Sequence, residues 1–201
     1  MTEENPAPKA DETATDLLKD SVKLLVAPFS FFRNLDTRRY VLAVYGYFFM
    51  ALTQAMQGIS GDTANEDVVP IVGVTIAMAA ILGIPVAAFI FGGLLHLLTR
   101  VLGGQRTMLD TIVTIGTAFF WPGLISAISS LAHVMLAGEI DVRIVIAGWY
   151  VAGAWALVLS TGAIRVLNGF SWLRAGLTWL MYVAMIAAFW WLMTLFASFG
   201  F

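Results

Sequence analysis

The side chains of this sequence best placed to do chemistry inside an apolar helix are a group of serines and a histidine. Ser126, Ser129, Ser130 and His133 are spaced three, one and three residues apart, which places them on one side of a helix. A polar stripe of this kind can line a water-filled vestibule or form hydrogen bonds to a neighbouring helix, at roughly 0.6 kcal/mol for each bond in a membrane. The pattern favours hydrogen bonds and leaves the vestibule as the alternative.

A second histidine, His96, lies one turn before Arg100 near the end of a long apolar stretch. No carboxylate lies near it in sequence to complete a proton relay, so we expect an interfacial hydrogen bond rather than proton transfer. Together with the serine stripe it defines a candidate polar groove. The members of this groove are His96, Ser126, Ser129, Ser130 and His133.

The sequence offers no residue pattern for catalysis, for a cofactor or for a metal ion. It contains no cysteine, and none of its thirteen acidic residues falls inside a predicted membrane span. This argues against paired-carboxylate catalysis and against ion-coupled transport. The Gly103-Gly104 pair lacks the Gly-Lys-Ser/Thr ending of a phosphate-binding loop. We therefore expect a protein that is not an enzyme and has no catalytic residue, cofactor or metal site.

The composition is that of a protein dissolved in lipid. Hydrophobic residues make up 60% of the 201 residues and charged residues 12%, whereas soluble domains contain about 25% charged residues. Long apolar stretches predict an all-α, polytopic bundle of five transmembrane helices, with approximate ranges 40–59, 70–100, 111–136, 142–164 and 175–197. The net charge of −2 and the lack of a basic tract argue against nucleic acid as a partner.

Prolines, caps and small residues predict local features of these helices. Pro85 and Pro122 have no amide hydrogen to donate, so each predicts a kink. Thr107 and Asp110 predict a capping box at the start of the third span, and Gly169 predicts a left-handed cap after the fourth. A small residue at every fourth position predicts close helix packing; these residues are Gly148, Ala152, Ala156 and Ser160 of the fourth span, with Ala184 and Ala188 as a matching face on the fifth.

The chain before the first span has two parts. Residues 1–16 are polar and mostly acidic, which predicts a disordered tail. From Leu17 to Val26, apolar residues at helical spacing and lysines on the other face predict an amphipathic surface helix, which Pro28 ends. Residues 17–39 are thus expected to form a cytoplasmic, interfacial segment. The aromatic and cationic residues expected at headgroup depth include Phe29, Phe32 and Arg33.

The basic residues predict which side of the membrane each turn occupies. Ten of the eleven Lys and Arg residues fall on one side of the five-span arrangement, and only Arg143 falls on the other. By the positive-inside rule, the N-terminus is cytoplasmic and the C-terminus lies outside. The turn between spans two and three is then cytoplasmic. The candidate interaction surface on that side comprises Pro28, Phe29, Phe32, Arg33, Arg100, Gly103, Gly104 and Arg106.

Three features together resemble a known family. They are a Pro-x-x-x-Phe segment from Pro28 to Phe32, five spans with the N-terminus inside, and the turn from Leu102 to Thr107 that contains Gly103-Gly104. In these features the chain is similar to the Yip family of Ypt-interacting membrane proteins, in particular to its bacterial-type members. For eukaryotic members the resemblance implies binding of prenylated Rab-type GTPases, vesicle traffic and membrane shaping. This chain has a short N-terminal region without their Asp-Leu-x-Gly-Pro segment, so Rab binding does not transfer.

These observations predict a non-enzymatic integral membrane protein of the bacterial inner membrane that organises lipids or partner proteins. Its expected partners are membrane lipids, anionic ones included, and either another membrane protein or a second copy of itself. The alternatives are an accessory subunit of a larger complex, or a passive channel, small-solute transporter or lipid-moving protein. The last group would use a groove at the kinked second and third spans.

Overall fold

A computed structural model describes residues 14–35, 40–57, 68–136 and 141–198, and these contain helices and turns but no β-strand. In chain order the helices are α1 (Ala14–Val26), α2 (Pro28–Arg33), α3 (Val41–Gln57), α4 (Val68–Met78), α5 (Ile84–Ala87), α6 (Leu94–Val101), α7 (Met108–Ala118), α8 (Phe120–Met135), α9 (Val142–Asn168) and α10 (Trp172–Ser198). Two π-helical stretches, π1 (Ala79–Gly83) and π2 (Ala88–Gly93), flank α5. The predicted all-α class is confirmed. Of the predicted tail, residues 1–13 lie outside the described part.

Within the described ranges, three helical segments are long and apolar enough to cross a membrane: Ile71–Val101, Val142–Asn168 and Trp172–Phe189. The pair α7 and α8 makes a fourth if the two helices are counted as one span bent by 49°. Helix α3 is apolar but only 17 residues long, which corresponds to about 25 Å, less than the roughly 30 Å of a bilayer core. Each predicted span therefore coincides with a helix, while length and composition support three or four crossings.

Pro85 alters the helical repeat of the second span without breaking the span. It lies in the first turn of the short helix α5. Before Pro85, the Ile84 amide donates a hydrogen bond to the carbonyl of Ala79. After Pro85, the Leu94 amide donates one to the carbonyl of Phe89. In both cases the acceptor lies five residues earlier in the chain, one more than in an α-helix. This wider repeat accommodates a residue that has no amide hydrogen and whose ring crowds the preceding turn. Two π-helical stretches thus flank Pro85 within one helical segment, and the expected kink stays a prediction.

The third span bends where Pro122 predicts it. The break lies at Phe119, between α7 and α8, and Phe119 is itself buried. The Gly123 amide restores the helical pattern by donating to the Phe119 carbonyl at 2.8 Å. The bend changes the direction of the span by 49° between α7 and α8.

Helix α7 is the most enclosed of the described helices, because every residue from Val113 to Ala118 is buried. Its contact with α3 is made between backbones. A Cβ atom on Gly46 would overlap the Gly116 carbonyl, and one on Gly116 would lie 2.9 Å from the Ala43 carbonyl oxygen. The Tyr47 hydroxyl donates a 2.7 Å hydrogen bond to the Ile112 carbonyl beside this contact. The two helices therefore pack as closely as their main chains allow.

Helix α9 uses its small residues against α8. Ala152 and Ser160 are buried, and a side chain on Gly148 would collide with Ser129. The predicted packing face of the fourth span is therefore confirmed. The matching face expected on the fifth span is wrong, because Ala184 and Ala188 of α10 are both exposed.

We predict that Gly46→Ala and Gly116→Ala each lower the thermal stability of the purified protein in detergent. The added methyl group must push apart two backbones that are already in contact, and overpacking of this kind costs about 1–3 kcal/mol. Gly153→Ala is the matched control, because Gly153 is also helical and has no neighbouring atom within 4 Å of an added Cβ. Equal unfolding temperatures for Gly116→Ala and Gly153→Ala would contradict the backbone contact.

Candidate functional site

The amphipathic helix α1 is attached to the bundle at the bend of the third span. Leu24 has no exposed surface, and the buried residue Ser21 accepts a 2.7 Å hydrogen bond at its carbonyl from the Trp121 Nε1–H. Trp121 lies in the first turn of α8, directly after the bend. Helix α1 therefore packs at the bend of the third span.

The opposite side of α1 is apolar and uncovered in the described structure. Leu18, Val22 and Val26 are 65%, 48% and 77% exposed. With the neighbouring Lys19 and Lys23 they line a shallow groove of about 460 Å³. The helix therefore has one apolar face against the bundle and a second apolar face, flanked by two cations, that faces away from it.

The Pro28–Phe32 segment forms α2 and divides its aromatic residues between the core and the surface. Phe32, expected at headgroup depth, is instead 6% exposed and packs near Leu159 and Ala163 of α9. Phe29 remains partly exposed, with its ring edge-on to that of Trp172 at 5.5 Å between centroids. Pro28 begins α2 and the exposed Arg33 ends it. Phe32 thus serves packing, and Phe29 is the ring at the surface.

Glycine is required in the Gly103-Gly104 turn by backbone geometry. Gly103 has φ 89°, which residues with a side chain adopt only with strain. The Gly104 amide donates to the Thr99 carbonyl at 2.8 Å, and a Cβ on Gly104 would lie 2.9 Å from that same oxygen. It would also lie 2.6 Å from Oδ1 of Asn168. The turn therefore packs directly against the end of α9.

Arg106 joins this turn to the next one. Its Nε donates a 3.0 Å hydrogen bond to the Leu167 carbonyl, one of the last carbonyls of α9, which have no partner within the helix. Helix α9 then ends at Gly169, with φ 65°, as predicted. The predicted capping box is also present, since Thr107 and Asp110 exchange hydrogen bonds of 3.1 and 3.2 Å. Arg106 thus acts as a cap for α9.

Two further arginines near the α9–α10 turn lie over aromatic rings. The guanidinium carbon of Arg165 is 4.9 Å from the centroid of the Trp172 ring. That of Arg174 is 5.4 Å from the Phe170 ring. Neither arginine was singled out from the sequence. The sequence did contain a pattern that could have identified them, because Arg165 and Arg174 flank a glycine turn in the same way as Arg100 and Arg106.

The end of the bundle that carries these two turns, together with α1 and α2, is called the basic end below. Its described cations are Lys19, Lys23, Arg33, Arg100, Arg106, Arg165 and Arg174. The described acidic residues at this end are Asp16, Asp20 and Asp110, while Asp141 and Arg143 lie at the other end. Among the described residues, the cations therefore outnumber the acidic residues at this end of the bundle.

The structure does not bring the five residues of the predicted polar groove together. His96 is buried, with its Nδ1 3.2 Å from the Thr111 Oγ1 at the start of α7. The serine stripe lies beyond the bend and faces α9, where the Ser130 Oγ accepts a 3.1 Å hydrogen bond from the Trp149 Nε1–H. Ser126, Ser129 and His133 are each partly exposed. Ser130 thus forms a hydrogen bond to α9, and Ser129 packs against Gly148 of the same helix.

No group of three or more His, Cys, Asp or Glu side chains that could hold a metal ion occurs among the residues that the structure describes.

Apolar helices of membrane-crossing length define the class of the protein as a helical integral membrane protein. The family model of the Yip1 domain matches residues 22–195. The chain therefore belongs to the Yip1 family, as the resemblance indicated. Comparisons with curated proteins and with solved structures give no match.

We predict that Gly103→Val and Gly104→Val reduce the amount of folded protein, Gly103→Val because of its positive φ and Gly104→Val because of its close contacts. A left-handed backbone costs a residue with a Cβ about 1–2 kcal/mol. Gly103→Asn should retain more folded protein than Gly103→Val, because Asn tolerates positive φ. The measurements are membrane expression and thermal unfolding.

The control for the turn is Gln105→Val, at an exposed position in the same segment. It should fold normally. Normal expression and stability of Gly103→Val and Gly104→Val, together with loss of ligand or partner binding, would show that the turn is a recognition site and not a structural one.

Proposed function

We propose that this Yip1-family protein is a non-enzymatic membrane protein that uses its basic end to bind and organise anionic lipids. The observation that carries the proposal is that α1 packs against the bundle on one face and exposes a second apolar face. One face is fixed to the bundle through Leu24 and Ser21. The other exposes apolar side chains beside Lys19 and Lys23. A helix held in this way can insert its outer face among acyl chains while its lysines meet headgroup phosphates.

The charge of the basic end supports the same proposal. A Lys or Arg near an anionic membrane surface contributes about 1 kcal/mol of attraction. The described part of this end carries seven cations and three acids, so the attraction exceeds the repulsion. The exposed rings of Phe29 and Trp172 add the aromatic residues that favour a membrane interface.

The membrane topology is part of the proposal. We infer five crossings, with the basic end and the N-terminus in the cytoplasm and the C-terminus outside, in a bacterial inner membrane. The positive-inside rule supports this orientation. Helix α3 would cross as a short span, which a membrane accommodates by local thinning.

The alternative of a channel or transporter has no specific observation in its favour. Ser130 is bonded to Trp149, and Ser129 packs at Gly148. These contacts use the polar stripe to join α8 and α9. A partner membrane protein or a second copy of the chain remains compatible with the proposed lipid binding.

We predict that the double substitution Lys19→Gln and Lys23→Gln reduces the enrichment of anionic lipid around the full-length protein by up to about tenfold at low salt. The protein would be reconstituted in mixed phosphatidylglycerol and phosphatidylcholine vesicles and extracted with its lipid shell by an amphipathic polymer. Lipid mass spectrometry then gives the ratio of the two lipids. Added salt should lower the wild-type enrichment towards that of the variant.

Arg143→Gln is the matched control, because it also removes an exposed cation but lies at the other end of the bundle. It should leave the enrichment on the α1 side unchanged. If the wild type shows no preference for phosphatidylglycerol, the proposed function is wrong.

The orientation can be tested directly, because the sequence contains no cysteine and single cysteines can be introduced without background. We predict that Gln105→Cys reacts with a membrane-impermeant maleimide only from the cytoplasmic side. Val142→Cys, exposed at the opposite end, should react only from the outside. Labelling of both positions from one side would contradict the single membrane crossing by the third span that separates them.

A further inference from the structure

At the basic end, four residues from three elements form a layered arrangement. Gly162 of α9 has no side chain, and the Phe29 ring occupies the space where one would be. The Trp172 ring stands edge-on to Phe29 at 5.5 Å, and the Arg165 guanidinium lies 4.9 Å from the Trp172 centroid. The arginine is therefore held at a defined position by rings that are themselves fixed to α9.

The guanidinium of Arg165 is only partly used by the protein. Its Nε is enclosed and has no hydrogen-bond partner among the described residues, although the residue as a whole is partly exposed. The nearby Arg106 is bonded to the Leu167 carbonyl. Among the described residues, Arg165 therefore retains a guanidinium donor without a hydrogen-bond partner, and its partly exposed side chain lies beside the exposed Trp172 ring.

We infer that Arg165 binds the phosphodiester of one membrane phospholipid, with the glycerol region of that lipid lying against the exposed edges of Trp172 and Phe29. The inference rests on the proposed function, because it requires the membrane surface to lie at the basic end. A guanidinium matches phosphate geometry with two parallel hydrogen bonds and stacks on an aromatic ring at the same time.

The apolar surroundings of Arg165 identify a lipid as the source of the phosphate. Trp172 is 48% exposed, Phe29 36% and the adjacent Leu173 76%. A free phosphate ion would leave these side chains in water. A phospholipid covers them with its glycerol and acyl groups while its phosphate reaches the arginine, as expected for aromatic residues at headgroup depth.

The test uses the full-length protein, delipidated in detergent and titrated with short-chain phosphatidylglycerol under native mass spectrometry. One phospholipid is expected to bind the wild type more tightly than the others. Arg165→Gln should weaken this lipid at least about tenfold, because it removes a charged hydrogen bond. Arg165→Lys should recover only part of the affinity, since lysine keeps the charge but loses the paired donors and the stacking.

Two further variants sharpen the result. Trp172→Leu keeps an apolar side chain but removes the ring that positions Arg165, so it should weaken the same lipid by less than Arg165→Gln does. Arg143→Gln removes the cation at the other end of the same helix and should leave the affinity unchanged. Loss of the lipid in Arg143→Gln as well would show a general charge effect and overturn the site.

A purely structural role for Arg165 has a different signature. Arg165→Gln would then lower the unfolding temperature in lipid-free detergent and leave the affinity of the bound lipid unchanged, which would overturn the inference. Inorganic phosphate that displaces the lipid from the wild type at equal concentration would assign the site to free anions and would also overturn it.

The outcomes separate this site from the proposed function. If Lys19→Gln with Lys23→Gln abolishes the phosphatidylglycerol enrichment while Arg165→Gln still binds its lipid tightly, the proposed function stands and the Arg165 site is wrong. If no variant and no salt concentration changes the lipid composition around the protein, the proposed function itself fails.

Discussion

The backbone contact between α3 and α7 is the constraint on which the rest of the structure depends. Inside a membrane, the hydrophobic effect does not drive helices together, because lipid tails are as apolar as the helix surfaces. Their association therefore requires close van der Waals contact and interhelical hydrogen bonds. Gly46 and Gly116 provide that contact, and the hydrogen bond from Tyr47 to Ile112 fixes its register. With α7 held at the centre, the bend at Phe119 acquires a fixed position. That position determines where α1 can pack.

The two turns at the basic end form a single platform. Gly104 lies against Asn168, and Arg106 caps α9 from the neighbouring turn. A cation that caps a helix C-terminus also interacts favourably with the helix dipole. The two turns therefore hold each other in place, and the charged side chains around them lie at the same end of the bundle.

Local features could be read from the sequence, and contacts between distant segments could not. The Thr107–Asp110 capping box, the Gly169 cap and the bend before Pro122 each depend on a few neighbouring residues, so the predictions were correct. The two π-helical stretches beside Pro85 were not foreseen, because residue spacing alone does not reveal a wider helical repeat. The side toward which a helix faces is set by its neighbours. For this reason the burial of Phe32, the separation of His96 from the serines and the exposure of Ala184 on α10 were not foreseen.

The candidate interaction surface shows the same division. Its glycine turn could be recognised as a turn because two glycines between arginines are a local pattern, while a role of the turn in binding stays a prediction. The pairing of Arg165 with Trp172 was missed because it joins two helices across a turn, and its support from Phe29 comes from the far N-terminal part of the chain.

The hydrogen bond between Trp121 and Ser21 joins residues that are 100 positions apart, and this has a consequence for biosynthesis. Helix α1 emerges from the ribosome first, yet its partners on α8 and α9 follow only on the order of ten seconds later at ordinary rates of synthesis. During this interval the apolar side of α1 needs a temporary cover. The surface of the membrane into which the chain is being inserted would provide one. The proposed affinity of α1 for lipid would therefore assist assembly before it assists the finished protein.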